Sequence, residues 1–292
     1  MSDHQPCCDV PVSRPWLRVL GSFELRIPLD RDTGDTTSSP LDADERRLLA
    51  LLAVTATPRT ATELATVLWP ERSIDVALGT LAGVCDSLAD VVTASGDTVR
   101  LADHVEVDLA RALERLRAWK RDPGAVESST PDELVEVLAE DLLPGWGEVW
   151  ARQERDRFRR VRLHALESLS RRLTEAGRHE TAIRAGQLVV TEEPLRESAR
   201  RALIQAHLAA GNVSEAVKQY DAFAETCAKF GVAPGADLSA VFPPSPAWPV
   251  LTVRRPIHLV GPAVGRGQWL DAPVRRAQVG VGATGGGSFA RG

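Results

Sequence analysis

Six residue pairs in the second half of the chain lie 34 positions apart in one register. They are Ala165 and Ala199, Leu169 and Leu203, Ala176 and Ala210, Gly177 and Gly211, Ala182 and Ala216, and Ile183 and Val217. That spacing is the tetratricopeptide period, a helix–turn–helix whose glycine sits at the tight turn between helices. Small residues at 182 and 216 let the paired helices approach closely. Such repeats bury their hydrophobic faces only by stacking, and about three are needed for a stable array. Two visible repeats therefore predict that helices from the 109–150 region pack against them.

The rest of this half agrees. Every pattern from Leu109 onward is helical. Thr130-Pro131-Asp132-Glu133 joins an N-cap, a proline at the first helical position and a capping-box glutamate. Leu142-Leu143-Pro144-Gly145-Trp146 breaks the chain, and a long helix begins near Trp150. Its apolar stripe reads Phe158, Val161, Ala165 and Leu169. Arg152, Arg155, Arg159 and Arg162 form a second, basic stripe at i, i+3, i+7 and i+10. That stripe is either a solvated face paired with Glu154 and Asp156 or a docking surface for DNA backbone or an acidic partner. Trp146 and Trp150 are expected as core anchors joining the upstream helices to the repeats.

The first half is of mixed type. Leu17–Leu20 and Phe23–Ile27 alternate at period two around Gly21-Ser22, the pattern of a half-buried hairpin. Residues 30–39 read as a loop, and Arg46–Val54 as a helix with a wide apolar face. Thr60 and Glu63 make a capping box for a second helix ending at Trp69-Pro70. A third helix covers roughly Ser73 to Val91, with Ala77, Leu78, Leu81, Cys85 and Leu88 inward. Val91–Thr93 and Thr98–Leu101 then form a closing hairpin. Strands, three helices and a hairpin are the order of a winged helix-turn-helix. The expected class is mainly α: a winged helix at 16–108, then an all-α tetratricopeptide-like domain at 109–245. Residues 1–15 and the Gly/Pro/Arg-rich 246–292 are expected as flexible tails. Gly280–Gly285 spells a dinucleotide fingerprint by accident, since no strand precedes it and no helix follows.

No constellation of catalytic residues emerges. The six histidines are scattered, and there is no metal-ligand spacing, nucleophile elbow or phosphate-binding loop. The expectation is a non-enzyme without metal or cofactor. Four cysteines at 7, 8, 85 and 227 give no disulfide framework, no apolar run is long enough to span a bilayer, and the N-terminus lacks a signal-peptide pattern. A cytoplasmic protein without membrane contact is expected.

Several segments resemble the Streptomyces antibiotic regulatory protein family. Leu17–Ile27, Arg46–Val54, Leu64–Trp69, the helix through Leu81 and Leu88, and Gly96–Leu101 are similar to its winged helix. Leu142–Trp146, Glu193-Pro194-Leu195-Arg196-Glu197 and Gly231–Leu238 are similar to its bacterial transcriptional activator domain. The resemblance implies a transcriptional regulator that binds promoter DNA and contacts RNA polymerase or another regulatory protein; homodimerisation is left open.

Charge opposes part of that implication. Residues 16–108 carry 8 arginines and no lysine against 16 acidic residues. The family's third helix resembles one ending in a serine-arginine-leucine-arginine-arginine run, which falls here on Asp86-Ser87-Leu88-Ala89-Asp90. Leu88 is kept and every arginine is gone, which leaves Gly79, Ala82, Gly83, Asp86 and Asp90 on the outward face. Phosphate contacts require cations or well-placed N–H groups. The candidate DNA-contacting residues are therefore Arg46, Arg47, Arg72, Thr80, Ser87 and Arg100, and the candidate partner-binding residues are Arg152, Arg155, Arg159 and Arg162. Two readings follow: a DNA-binding regulator, or a protein-interaction module whose winged helix no longer reads sequence.

Overall fold

The computed structural model describes residues 14–28, 36–38, 40–55, 57–121 and 131–241. The first half runs β1 (Trp16–Arg18), β2 (Glu24–Pro28), β3 (Thr36–Ser38), α1 (Ala43–Thr55), β4 (Arg59–Thr60), α2 (Ala61–Leu68), α3 (Ile74–Ser87), β5 (Val92–Ser95), β6 (Thr98–Leu101) and β7 (Glu106–Val107). The second runs α4 (Asp108–Arg121), α5 (Pro131–Ala139), α6 (Val149–Glu175), α7 (His179–Glu192), α8 (Glu197–Ala209), α9 (Val213–Lys229) and α10 (Ala236–Ser239). Thr130, Cys7, Cys8, Gly280–Gly285 and most of both expected tails lie outside the described residues.

Period-two alternation places Leu17 opposite Leu25 in the antiparallel β1–β2 pair, both fully buried. Residues 30–39 are not simply a loop, because they contain β3, which pairs with β2 at Ile27 and Thr37. β7 closes the other edge parallel to β1, for a sheet of order β3-β2-β1-β7, and β4, β6 and β5 form a second sheet. The Thr60 capping box is made in full: Glu63 N–H donates to Thr60 Oγ1, and Thr60 N–H to Glu63. α3 stops four residues earlier than expected, since the Leu88 amide closes on Val84 and the chain then turns into β5. Its inward face is Ala77, Leu81, Val84 and Leu88, with Leu78 and Cys85 half-buried beside it.

The repeat is built as its spacing required. α6 packs on α7 and α8 on α9, and Gly177 and Gly211 follow the first helix of each pair with φ of 75° and 76°. That left-handed backbone ends a helix without strain only in glycine. Ala182 and Ala216 are fully buried, as the close helix approach demands. One large core runs from β1 through α8, and a smaller one gathers Ile204, Ala216, Phe223, Cys227 and Leu238.

The two halves are tied by backbone. Gly21 N–H donates to Asp141 O at 2.8 Å and Leu143 N–H to Val19 O at 2.9 Å. The Asp108 carboxylate accepts from the Val19, Leu20 and Leu109 amides. Burial outweighs those bonds and lifts the Asp108 carboxyl to about 6. Trp146 stacks at a tilt against Phe23 (5.3 Å) and meets Trp150 edge-on (6.0 Å). The tryptophan pair thus anchors the repeats to the winged helix as well, through a contact that spacing within the second half did not indicate.

Candidate nucleic-acid interface

A winged helix reads DNA with the outward face of its third helix. Gly79, Ala82, Gly83, Asp86 and Asp90 are all solvent-exposed here, as the sequence indicated, and Val76 beside them is 57% exposed. A methyl group added at Gly79 or Gly83 would meet nothing within 4 Å, so the face is open down to the backbone. None of these side chains can donate a hydrogen bond to a base edge or phosphate. Val67 on α2 and Ile74 at the start of α3 add further exposed apolar surface.

Each of the six candidate contact residues is held by the chain itself. Arg46 lies over the Phe23 ring at 5.2 Å. Arg47 pairs with Glu148 at 3.4 Å and with Asp44 at 3.9 Å. Arg72 donates to Thr80 Oγ1 at 2.8 Å, reaches Asp44 at 3.8 Å and covers the Trp69 ring. The Thr80 hydroxyl in turn donates to Val76 O, and Ser87 Oγ to Val84 O. Arg100 on the wing grips Asp103 with both guanidinium nitrogens, and this bond raises the arginine's pKa and lowers the aspartate's. Asp44 is the residue that sequence reasoning missed. It accepts from Trp69 Nε1 at 2.8 Å as well as facing Arg47 and Arg72. Only its i,i+3 spacing to Arg47 was visible in the sequence.

The basic stripe of α6 turns inward. Arg162 is 4% exposed, whereas Val161, expected in the apolar stripe, is 40% exposed. Arg162 Nη1 donates to Ala139 O at 3.1 Å at the C-terminal end of α5, and Nη2 pairs with Glu192 at the end of α7. The guanidinium thus meets the negative end of α5 and the Glu192 carboxylate together. Arg159 donates to both carboxylates of Glu192 and Glu193 and to Glu192 O. Arg155 donates to Leu142 O at 2.8 Å, Leu143 O and Trp146 O, holding the Leu142–Trp146 break in place. Leu143 there has φ of 45°, a left-handed conformation that neighbouring structure must impose on a non-glycine residue. Neither reading of the stripe anticipated this. Three of its four arginines bind the chain's own backbone and carboxylates, and Glu154 faces Arg157 instead. Arg152 alone is exposed without a polar side-chain partner among the described residues.

Glu193 and Glu197 have internal partners as well. Glu193 accepts from Arg196 at 3.0 Å, Arg196 reaches Glu167 at 2.7 Å, and Glu197 accepts from the Gly235 amide at 2.8 Å. No group of three metal-ligating side chains occurs among the described residues, and none of their helices is long and apolar enough to cross a membrane.

Residues 134–243 match the bacterial transcriptional activator domain. Among solved structures the chain is similar to Mycobacterium tuberculosis EmbR in complex with low affinity phosphopeptide. The TM-score is 0.60 at 20% identity, over 78% of this chain and 64% of that one. The likeness is therefore one of fold. No curated protein matches.

Proposed function

We propose that the chain is a cytoplasmic transcriptional regulator of the Streptomyces antibiotic regulatory protein type, whose winged helix works chiefly through protein contacts. In this reading the winged helix occupies 16–108 and the activator domain 109–245. One observation carries it. The outward face of α3 combines exposed Val76, Gly79, Ala82 and Gly83 with Asp86, exposed Asp90 follows in the turn after the helix, and the flanking arginines are already engaged. Such a face suits close approach by a partner helix with basic residues, and it repels phosphate. RNA polymerase, or another regulatory protein acting with it, is the expected partner.

The test pairs two measurements on the full chain. Anisotropy with labelled genomic duplexes should give only weak, sequence-indifferent binding at low salt. Association with purified RNA polymerase should saturate and be lost in Gly79→Trp, which blocks the face. A sequence-specific footprint of nanomolar affinity would return the DNA-reading function to α3. Unaltered polymerase binding by Gly79→Trp would remove α3 from the contact.

A further inference from the structure

The candidate cations of the winged helix are engaged, but a second set is not. Arg117, Lys120 and Arg121 lie toward the end of α4, and Arg160 and Arg171 lie on α6. All five are exposed, and their charged groups make no ion pair or hydrogen bond among the described residues. Arg172 brings the two helices together. Its guanidinium covers the Trp119 ring at 4.9 Å, which leaves Trp119 only 3% exposed. Lys120 and Arg121 follow Trp119 directly and Arg171 precedes Arg172, so the unpaired cations of both helix ends gather around that contact. Arg160 and Arg171 are three helical turns apart and share one face with His164, a stripe roughly 16 Å long. Three exposed carboxylates border the patch, Glu114 on α4 and Asp156 and Glu175 on α6, and none pairs with its six cations.

We infer that this surface of α4 and α6 docks the phosphate backbone of duplex DNA without reading its sequence. Cations with no internal partner keep their attraction for phosphate, and each contact gains further by releasing counterions. Each strand of a duplex places a phosphate about every 3.4 Å along the axis, so the stripe spans about five of them. What the face lacks speaks against a protein partner. Protein interfaces are built on an apolar centre depleted of charge. Here the exposed residues between Arg160 and Arg171 are Val161, 40% exposed, and His164, so no apolar centre exists. The α3 face has the opposite character, with exposed apolar surface and carboxylates. Contacts of the α4–α6 kind position a protein on DNA and carry no sequence information. The chain thereby holds DNA through its second half while α3 stays open to a protein. The inference goes beyond the reading above and does not depend on it.

Anisotropy of a labelled duplex of arbitrary sequence, titrated with the full chain between about 50 and 200 mM salt, tests this. Contacts from Lys120, Arg121, Arg160 and Arg171 predict a slope of log affinity against log salt of about −3.6. Combining Lys120→Gln, Arg121→Gln and Arg171→Gln should bring the slope to about −1 and weaken binding at low salt by at least about tenfold. Arg184→Gln, Lys218→Gln and Lys229→Gln together remove the same charge elsewhere and should leave both unchanged. Gly79→Trp should do the same, which separates a failure here from a failure of the α3 reading. Circular dichroism reports whether each variant folds. If the first triple variant does not, Lys120→Gln with Arg171→Gln carries the test at a slope change of about 1.8. Absent or salt-independent duplex binding by the native chain overturns the proposal, as does an equal loss in both triple variants. Poly-L-glutamate should compete only weakly. If it binds as tightly as the duplex and is lost in the same variant, the surface belongs to an acidic protein segment and the assignment to DNA falls.

Discussion

Replacing Asp86 and Asp90 together by arginine tests whether charge alone keeps α3 off DNA. Asp86 lies in the last turn of α3 and Asp90 in the turn that follows the helix, both exposed, and neither makes an ion pair among the described residues, so the exchange removes no internal bond. Each phosphate contact contributes about 0.9 to the slope of log affinity against log salt, so two new contacts should steepen it by about two. Between about 200 and 50 mM salt that difference amounts to roughly tenfold in affinity, on top of the repulsion removed. Folding should not suffer. Asp86 sits in the last turn of α3, where a negative charge opposes the helix dipole, and arginine there should stabilise by about 0.3–1 kcal/mol. The same substitution has an internal readout. Burial first and the Asp86 charge second push the Cys85 thiol up, so Asp86→Arg should lower its pKa and speed its alkylation. Anisotropy with a duplex of arbitrary sequence, at several salt concentrations, measures the main effect. A folded double variant with faster Cys85 chemistry but unchanged affinity and slope would refute the reasoning, for α3 would then not face DNA even when made basic. An unfolded one would mean that these aspartates support the fold.

Three further outcomes follow from the same contacts. Arg162→Met should destabilise by about 3 kcal/mol in urea unfolding, because it strips a buried cation from Glu192 and from the end of α5, whereas Arg152→Met should stay within about 0.5 kcal/mol; equal effects would contradict the inward placement of the stripe. Gly186→Ala should cost about 1–3 kcal/mol, since the new methyl meets Ser170 Oγ at 3.1 Å and Leu203 Cβ at 3.2 Å, while Gly79→Ala should gain up to about 1 kcal/mol from helix propensity alone. Asp108 titrates near 6 in the folded chain against an ordinary aspartate value of 3.8, so its protonated form is the one favoured by folding; its contribution is complete below about pH 4 and is lost as pH rises through 6, at about 3 kcal/mol. The stability difference between the native chain and Asp108→Asn should therefore change across that window, and a flat difference would mean that Asp108 is not desolvated as described.

The repeat, the capping box and the winged-helix order were legible in the sequence because each rests on local physics. Glycine at a left-handed turn, a threonine and a glutamate three apart, and alternation at period two leave marks within a few residues of one another. The emptiness of α3 was legible for a related reason. Helical spacing fixes which side chains share its outward face, and those residues carry no donor whatever they pack beside. The arginine stripe of α6 was not legible, and the reason is specific. Periodicity sorts residues by polarity and so sets Val161 against the core and Arg162 toward water. The fold reverses them because the C-terminal carbonyls of α5 and the Glu192 carboxylate converge on position 162, at sequence separations of 23 and 30 residues. A buried guanidinium is tolerated only where such acceptors are waiting, and their position is a property of the assembled helices. Arg46, Arg47, Arg72 and Arg100 follow the same rule on the winged helix. Each was counted as a free cation because its partner (Phe23, Glu148, Asp44 or Asp103) comes from another element or from a turn. Matching cations with their acceptors, more than counting them, decides how little positive charge this winged helix presents to a phosphate backbone.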